Sequence, residues 1–335
     1  MKVFTKNEYG HLKSVIVGRA DNANWPVGDI FFDRMMSLST YPDTLKRGPV
    51  ATKVIEETRE DLFALIDLLK ENGVSVHRPE IMDWRRTTAS LDHVTTGMHS
   101  YSARDLLLTV GNMIIECPTP FISRQNETRA YHVIKNEAIK DGCRWIAAPQ
   151  AVMETAECVV KDSRMNLTER YPIFDAANVL KFNDKLLYLV SGTANHAGAE
   201  WLQKIVGTEF EVIKWEGVYA FAHIDSTLTS LNADTILVNA ERVKEDTLPK
   251  FLRSHKKIWF SKCAERKFHK FPYASKWIGM NILSIDPETV IIDPTQTFLK
   301  KQLQEAGFSV LDSELRHSRT LGGGHHCITC DLERE

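Results

Sequence analysis

One arrangement of apolar runs recurs along the chain, and this repetition restricts the fold more than any other feature. Paired runs flank short polar turns in "DLLLTVGNMIIEC", "NVLKFNDKLLYLVS", "STLTSLNADTILVN" and "MNILSIDPETVIID". Each reads as a β-hairpin, tipped by Gly-Asn, Asn-Asp, Ala-Asp or Asp-Pro. A second pattern is a helical stretch that closes on a glycine or a basic cluster and runs into a short apolar strand. It recurs in "FALIDLLKENGVSVHRP", "VIKNEAIKDGCRWIAAP", "EWLQKIVGTEFEVIKW", "LPKFLRSHKKIWFSK" and "FLKKQLQEAGFSVLD". Gly73, Gly142, Gly207 and Gly307 stand where a helix end takes a left-handed residue. "HLKSVIVGRA" supplies one further strand to close a set.

A strand, strand, helix, strand unit cannot bury its own sheet face, so about five such units imply radial repetition. The plainer alternative is a two-layer α/β domain with an appendage. The 335 residues fit one large closed α/β architecture. No Pro-rich or Ser-rich linker divides them, so a single domain over 1–335 is expected, with extra loops around residues 20–48 and 80–100. Lys plus Arg total 42 against 44 for Asp plus Glu. That balance gives no basic excess for nucleic acid, and small-molecule substrates fit it better. No apolar run is long enough to cross a bilayer, and "MKVFTKNEYG" lacks the apolar stretch of a secretory signal, so a cytoplasmic protein without a membrane partner is expected. The six cysteines lack the density of a disulfide scaffold and are expected as free thiols.

The stretch "LGGGHHCITCDLERE", residues 321–335, admits several chemistries. His325, His326, Cys327 and Cys330 are ligand types that zinc takes, but consecutive residues point in different directions and rarely share one ion. Cys327 and Cys330 form a CxxC, whose usual place is the start of a helix in a thioredoxin-like unit; no such unit is expected to follow here. Buried structural thiols are a third reading. In the fourth, Gly322, Gly323 and Gly324 form a flexible approach that delivers Cys327 as a nucleophile, which then needs an acid/base and an orienting carboxylate from elsewhere. "FDAANVLKF" offers Asp175, which by itself is as good a turn residue. "YAFAHIDSTLTSL" places His223 and Asp225 two apart, on one face of extended backbone, where they could equally form a structural hydrogen bond.

Taken together and in order, "NEYGHLKSVIVGRADNANWP", "SARDLLLTVGNMIIECP", "RAYHVIK", "FDAANVLKF", "HIDSTL", "SKWIGMNIL" and "HSRTLGGGHHCITCD" resemble the amidinotransferase family, enzymes that move an amidino group from arginine to an amine. The resemblance covers nearly the whole chain. It implies a five-bladed α/β propeller, the pentein fold, with pseudo-fivefold ββαβ repeats. It makes Cys327 the nucleophile, His223 the general acid/base and Asp175 the carboxylate that orients the imidazole. Asp105 and Asp225 match carboxylates that grip the donor guanidinium; Arg242 and Ser275 match groups that hold its α-carboxylate. The reaction implied is ping-pong through an amidino-cysteine with release of ornithine, and it needs no cofactor and no metal. Relatives are often dimers, which leaves a homodimer open.

Some positions depart from the family pattern. His325 stands where many relatives have Phe, and Ala274 stands where glycine-using relatives have a second serine. Ala220 and Ala222 are small where those enzymes carry larger side chains, which leaves room for a bulkier acceptor. "FDAANVLKF", "LLYLVS", "SKWIGMN" and "HSRTLGGG" look most like the inosamine-phosphate type, and lysine or another biosynthetic amine is a further expectation. The alternatives are a guanidine-modifying hydrolase of the same superfamily, which would form citrulline, and a non-catalytic arginine-binding module.

Overall fold

The computed structural model describes residues 1–90 and 92–335; Leu91, inside the expected 80–100 loop, lies outside the described residues. All four expected hairpins form. Leu107–Val110 pairs antiparallel with Met113–Glu116, Val179–Phe182 with Lys185–Leu189, Leu228–Ser230 with Thr235–Asn239, and Leu283–Ser284 with Thr289–Ile292. In each case the second strand also pairs in parallel with a third: Arg144–Ala147, Glu211–Trp215, Lys256–Phe260 and Ser309–Asp312 respectively. A fifth sheet repeats the pattern with strands from both chain ends. Leu12–Val17 is its middle strand, parallel to Ser75–His77 and antiparallel to Thr329–Arg334. The residues after Cys327 therefore serve as the first strand of this sheet.

The parallel pairs need a crossover connection. It is a helix at Thr52–Glu71, His132–Lys140, His196–Val206 and Thr297–Glu305. Gly73, Gly142, Gly207 and Gly307 all adopt positive φ just beyond these helices. In "LPKFLRSHKKIWFSK" the expected helix is reduced to the 3₁₀ turn Lys250–Leu252, with another turn, Glu245–Thr247, just ahead of it. Pro249 separates the two turns: it has no N–H to continue the first and drives the preceding residue out of helical backbone, and Leu248 sits at φ −67, ψ 140. The 20–48 segment also departs from a bare loop. It contains the helix Ile30–Ser37, whose N-cap Asp29 accepts from the Phe32 N–H.

Buried apolar side chains alternate between neighbouring sheets. Leu107 and Ile114 join Ile16 and Leu332 in one cluster, while Leu108 and Ile115 join Leu186 and Tyr188 in another. Leu180 and Leu187 meet Leu228 and Ile236; Leu237 and Ile258 meet Val290 and Ile292; Leu283 and Ile291 share a cluster with Val15 and Val17. Period-2 side-chain direction places both faces of each sheet in a core. That accounts for strands that read as continuous apolar runs rather than as clean alternation. Among the described residues no helix is long and apolar enough to cross a membrane.

Candidate active site

The loops that enter the first strands of the sheets carry the candidate residues. Asp105 ends a 3₁₀ turn before Leu107, Asp175 precedes the 3₁₀ turn Ala176–Asn178, and Asp225 lies in the turn Ile224–Ser226 that His223 opens. Ser275 caps the turn Lys276–Met280, its Oγ accepting from Trp277 N–H. Cys327 lies two residues before the start of Thr329–Arg334. His223, Asp225, Arg242, Ser275, Ala222 and Cys327 all line one cavity of about 610 Å³. Asp105 lines an adjoining chamber of about 90 Å³, which shares Phe221, Ala222 and His223 with the larger one. Asp175 is fully buried behind His223. Ala220 is not on the cavity wall; its carbonyl accepts the Gly192 N–H.

His223 Nε2 bonds to Asp175 Oδ2 at 2.9 Å, while Nδ1 is turned toward Asp105 Oδ1 at 3.7 Å. Burial opposes charging of this imidazole, but Asp105, Asp175 and Asp225 outweigh it and raise its pKa to about 9. The imidazolium is therefore the resting form at neutral pH, a proton donor beside the cavity. Cys327 is in the opposite position. Burial first, then the charges of Asp225 and Asp105, push its thiol well above the usual range. The thiol donates to Asp225 Oδ2 at 3.1 Å. Burial works against ionisation of Asp225, yet its bond to His326 and the charges of His326 and His223 hold its pKa below the ordinary carboxylate value.

Arg124 fixes Asp105 from behind, its guanidinium 2.6 Å from Oδ2, and leaves Oδ1 buried with no hydrogen-bond partner. Two carboxylates thus flank one sulfur, one of them holding an unsatisfied oxygen. A buried anionic acceptor without a donor is costly, and a planar cation with several N–H groups would satisfy it. At the other wall Arg242 donates to the Ser226 carbonyl and hydroxyl and to Thr227 Oγ1, with Ser275 Oγ 3.4 Å from its second nitrogen. Its guanidinium lies 3.6 Å over the Tyr219 ring. That arrangement presents a fixed cation to an anionic group in the cavity.

The remaining members of the terminal cluster diverge. His325 Nε2 meets the Ser313 carbonyl, His326 bridges Asp225 and Glu8, and the Cys330 thiol donates to the Leu107 carbonyl. Such directions do not converge on one ion or bring the two sulfurs together. Of the three glycines, Gly322 lines the cavity and Gly324 is packed against a neighbour. Gly322 turns the chain at φ +83, and a Cβ on Gly324 would come within 2.8 Å of Asn281. Two contacts went unread in the sequence. Arg124 is an isolated arginine with no motif, and Asn281, inside "SKWIGMNIL", donates from Nδ2 to Cys327 Sγ at 3.0 Å while its Oδ1 accepts the Cys327 N–H at 3.0 Å.

A sulfur held between carboxylates, beside an imidazolium paired with a third, is equipped to attack the carbon of a bound cation and to protonate the group that leaves. Known proteins resemble this chain in sequence and in fold. No protein-family model matches the chain. It is 39% identical over 336 residues to "Inosamine-phosphate amidinotransferase 1" of Streptomyces glaucescens, covering 99% of this chain and 97% of that protein. The solved inosamine-phosphate amidinotransferase of Streptomyces griseus superposes with a TM-score of 0.94 at 38% identity, over 99% and 97% of the two chains. The N-terminal domain of a cyanobacterial arginine dihydrolase shares the mixed α/β fold alone, with a TM-score of 0.63 at 14% identity over 96% of this chain and 98% of that one. Similarity at nearly 40% over essentially both full lengths, joined to a cysteine, histidine and carboxylate site on the same fold, places the chain in the amidinotransferase family, as a transferase of amidino groups.

Proposed function

We propose that the chain, as one domain over residues 1–335, transfers the amidino group of L-arginine to an amine larger than glycine, an inosamine phosphate above all, through a covalent amidino-cysteine on Cys327. The observation that carries this reading is the sulfur of Cys327 held against Asp225 in a cavity whose inner chamber ends at an Asp105 oxygen that accepts no hydrogen bond. The same reading takes the five sheets as blades of a closed five-bladed propeller. Its support is the fifth sheet built from both chain ends and the sharing of each sheet's two faces between neighbouring apolar clusters.

In the reaction, the guanidinium docks between Asp105 and Asp225, with its α-carboxylate toward Arg242 and Ser275. The cation cancels the two charges that opposed ionisation of Cys327, and the thiol proton is released to solvent. The thiolate attacks the guanidinium carbon. The carbon–Nε bond of arginine then breaks, and His223 passes its proton to the departing nitrogen, which leaves as the side-chain amine of ornithine. The acceptor amine enters the vacated cavity, gives a proton to His223, and attacks the amidino carbon, expelling Cys327 as thiolate. Ala222, the one of the two predicted alanines on the cavity wall, leaves volume for a ring-sized acceptor.

The test is incubation of the protein with arginine alone and then with a panel of amines, following ornithine and the guanidino product. Arginine alone should label Cys327 in stoichiometric amount by mass spectrometry, and Cys327→Ser should abolish both labelling and transfer. Citrulline formed without any amine would identify a hydrolase instead. Binding without labelling would leave only an arginine-binding module.

A further inference from the structure

Asn281 is committed to Cys327 at both ends of its side chain. Nδ2 donates to the sulfur at 3.0 Å and Oδ1 accepts the Cys327 backbone N–H at 3.0 Å. The side chain takes no part in ending the 3₁₀ turn that precedes it, because the Asn281 backbone N–H closes that turn on the Ile278 carbonyl. The contact is also walled in. Gly324 approaches so closely that a Cβ there would lie 2.8 Å from the Asn281 Cβ and Oδ1. The other side chain bonded to the sulfur is the Asp225 carboxylate, so the amide is the neutral side-chain donor, beside the backbone N–H of Gly324.

We infer that Asn281 is a two-point clamp that fixes the Cys327 sulfur in its attack pose and donates the hydrogen bond that stabilises the thiolate each time it is generated. The inference rests on the reading of Cys327 as the nucleophile. Carboxylates on either side of the sulfur oppose its negative charge until the guanidinium arrives. They do so again once the amidino group has left with the acceptor. A neutral N–H aimed at the sulfur acts in both half-reactions, whatever the charge of the bound molecule. The pair also fixes direction: with Sγ and N both tied to one amide, the Cα–Cβ bond has a single orientation toward the cavity.

The experiment compares the parent enzyme with Asn281→Ala and the isosteric Asn281→Asp. Thermal unfolding establishes that each is folded. Site-resolved iodoacetamide alkylation of Cys327 against pH reads the thiolate, and steady-state kinetics with arginine separate kcat from KM. A lost hydrogen bond to a charged group predicts a Cys327 alkylation profile moved up by roughly one to two pH units. It also predicts kcat lower by roughly 10- to 100-fold, with KM for arginine within about threefold. Asn281→Asp keeps the acceptor for the Cys327 N–H and places an anion against the sulfur, so its loss should exceed that of Asn281→Ala. Unchanged alkylation and kcat in folded Asn281→Asp would overturn the inference, as would a change confined to KM. If neither variant folds, Asn281 is structural and the inference fails. A parent enzyme that arginine never labels would overturn the nucleophile reading, and this inference with it.

Discussion

His223 shows how far a single residue's behaviour is set by partners far away in the chain. Asp175 is 48 residues before it, and the carboxylates together raise the imidazole to about 9 against burial. The sign of the consequence follows. Above that pH His223 has no proton for the departing amine, so kcat/KM for arginine, which reports the free enzyme, should fall on the alkaline side with an apparent pKa near 9. Asp175→Asn removes a charge that favours the imidazolium, so the limb should move down toward 6.5 while the rate drops roughly 10²- to 10⁴-fold. A limb that stays in place would disconnect His223 from Asp175. Arg242→Gln should act differently, raising KM for arginine by roughly tenfold or more and sparing kcat, because its cation meets the substrate far from the reacting carbon. Residues taken singly did not reveal these roles. Cys327 stayed open among zinc, redox, structural and nucleophilic readings because its deciding partners, Asp225 and Asn281, lie 102 and 46 residues upstream. The resemblance to a family pointed to Cys327, His223 and Asp175, which the fold brings to one site, whereas Arg124 and Asn281 carry no local pattern and came only from the packing.

Among the elements, the short turn Lys276–Met280 links both ends of the site. Ser275 opens it beside Arg242, and Asn281 follows it against Cys327. At about 2 Å of rise per residue, a 3₁₀ segment from 275 to 281 extends roughly 12 Å. That span is long enough to carry one group to the carboxylate end of an extended arginine and another to its guanidinium. The partner surface is the glycine loop, where the fit leaves no room for a side chain. Gly324→Ala should therefore push Asn281 and Cys327 apart, costing roughly 1–3 kcal/mol in urea unfolding and lowering kcat along with stability. Full activity with only the stability loss would separate the glycine from catalysis. Hairpins were legible because each carries its turn residues locally, and Asn183 takes φ 58 at one tip. The crossover after "NAERV" was not, because Pro249 divides it into two short 3₁₀ turns.

On the scale of the whole molecule, the sheets are tied together by buried charge as well as by apolar contact. Glu8, ahead of the first strand, meets Arg104 at 3.2 Å and Lys181 at 3.3 Å, and its second oxygen lies 3.4 Å from His326. Arg104 also bonds Asp331 at 2.7 Å, and its backbone N–H and guanidinium hold the carbonyls of Cys327, His326 and Thr329. One network thus joins the segment before the first sheet, the second and third sheets, the terminal strand and the loop that carries Cys327. No sequence pattern announces it, since nothing local to Glu8, Arg104 or Lys181 shows that the three side chains meet. Removing one partner of a buried ionic group leaves the others uncompensated, so Glu8→Gln should cost roughly 3–5 kcal/mol at neutral pH. Removing Lys181 as well, as Glu8→Gln with Lys181→Met, should recover part of that loss. The acid behaviour separates charge from packing. Burial opposes ionisation of Glu8, but Lys181, Arg104 and His326 hold its carboxyl well below the usual range. A depressed folded-state pKa gives a contribution that is complete above the unfolded value of about 4.3 and is lost as pH falls through the folded one. Urea unfolding of parent and Glu8→Gln at a series of pH values should therefore show a constant gap above about pH 5 that narrows progressively in acid. A gap that does not narrow would mean that the shape of the Glu8 side chain, rather than its charge, joins these sheets.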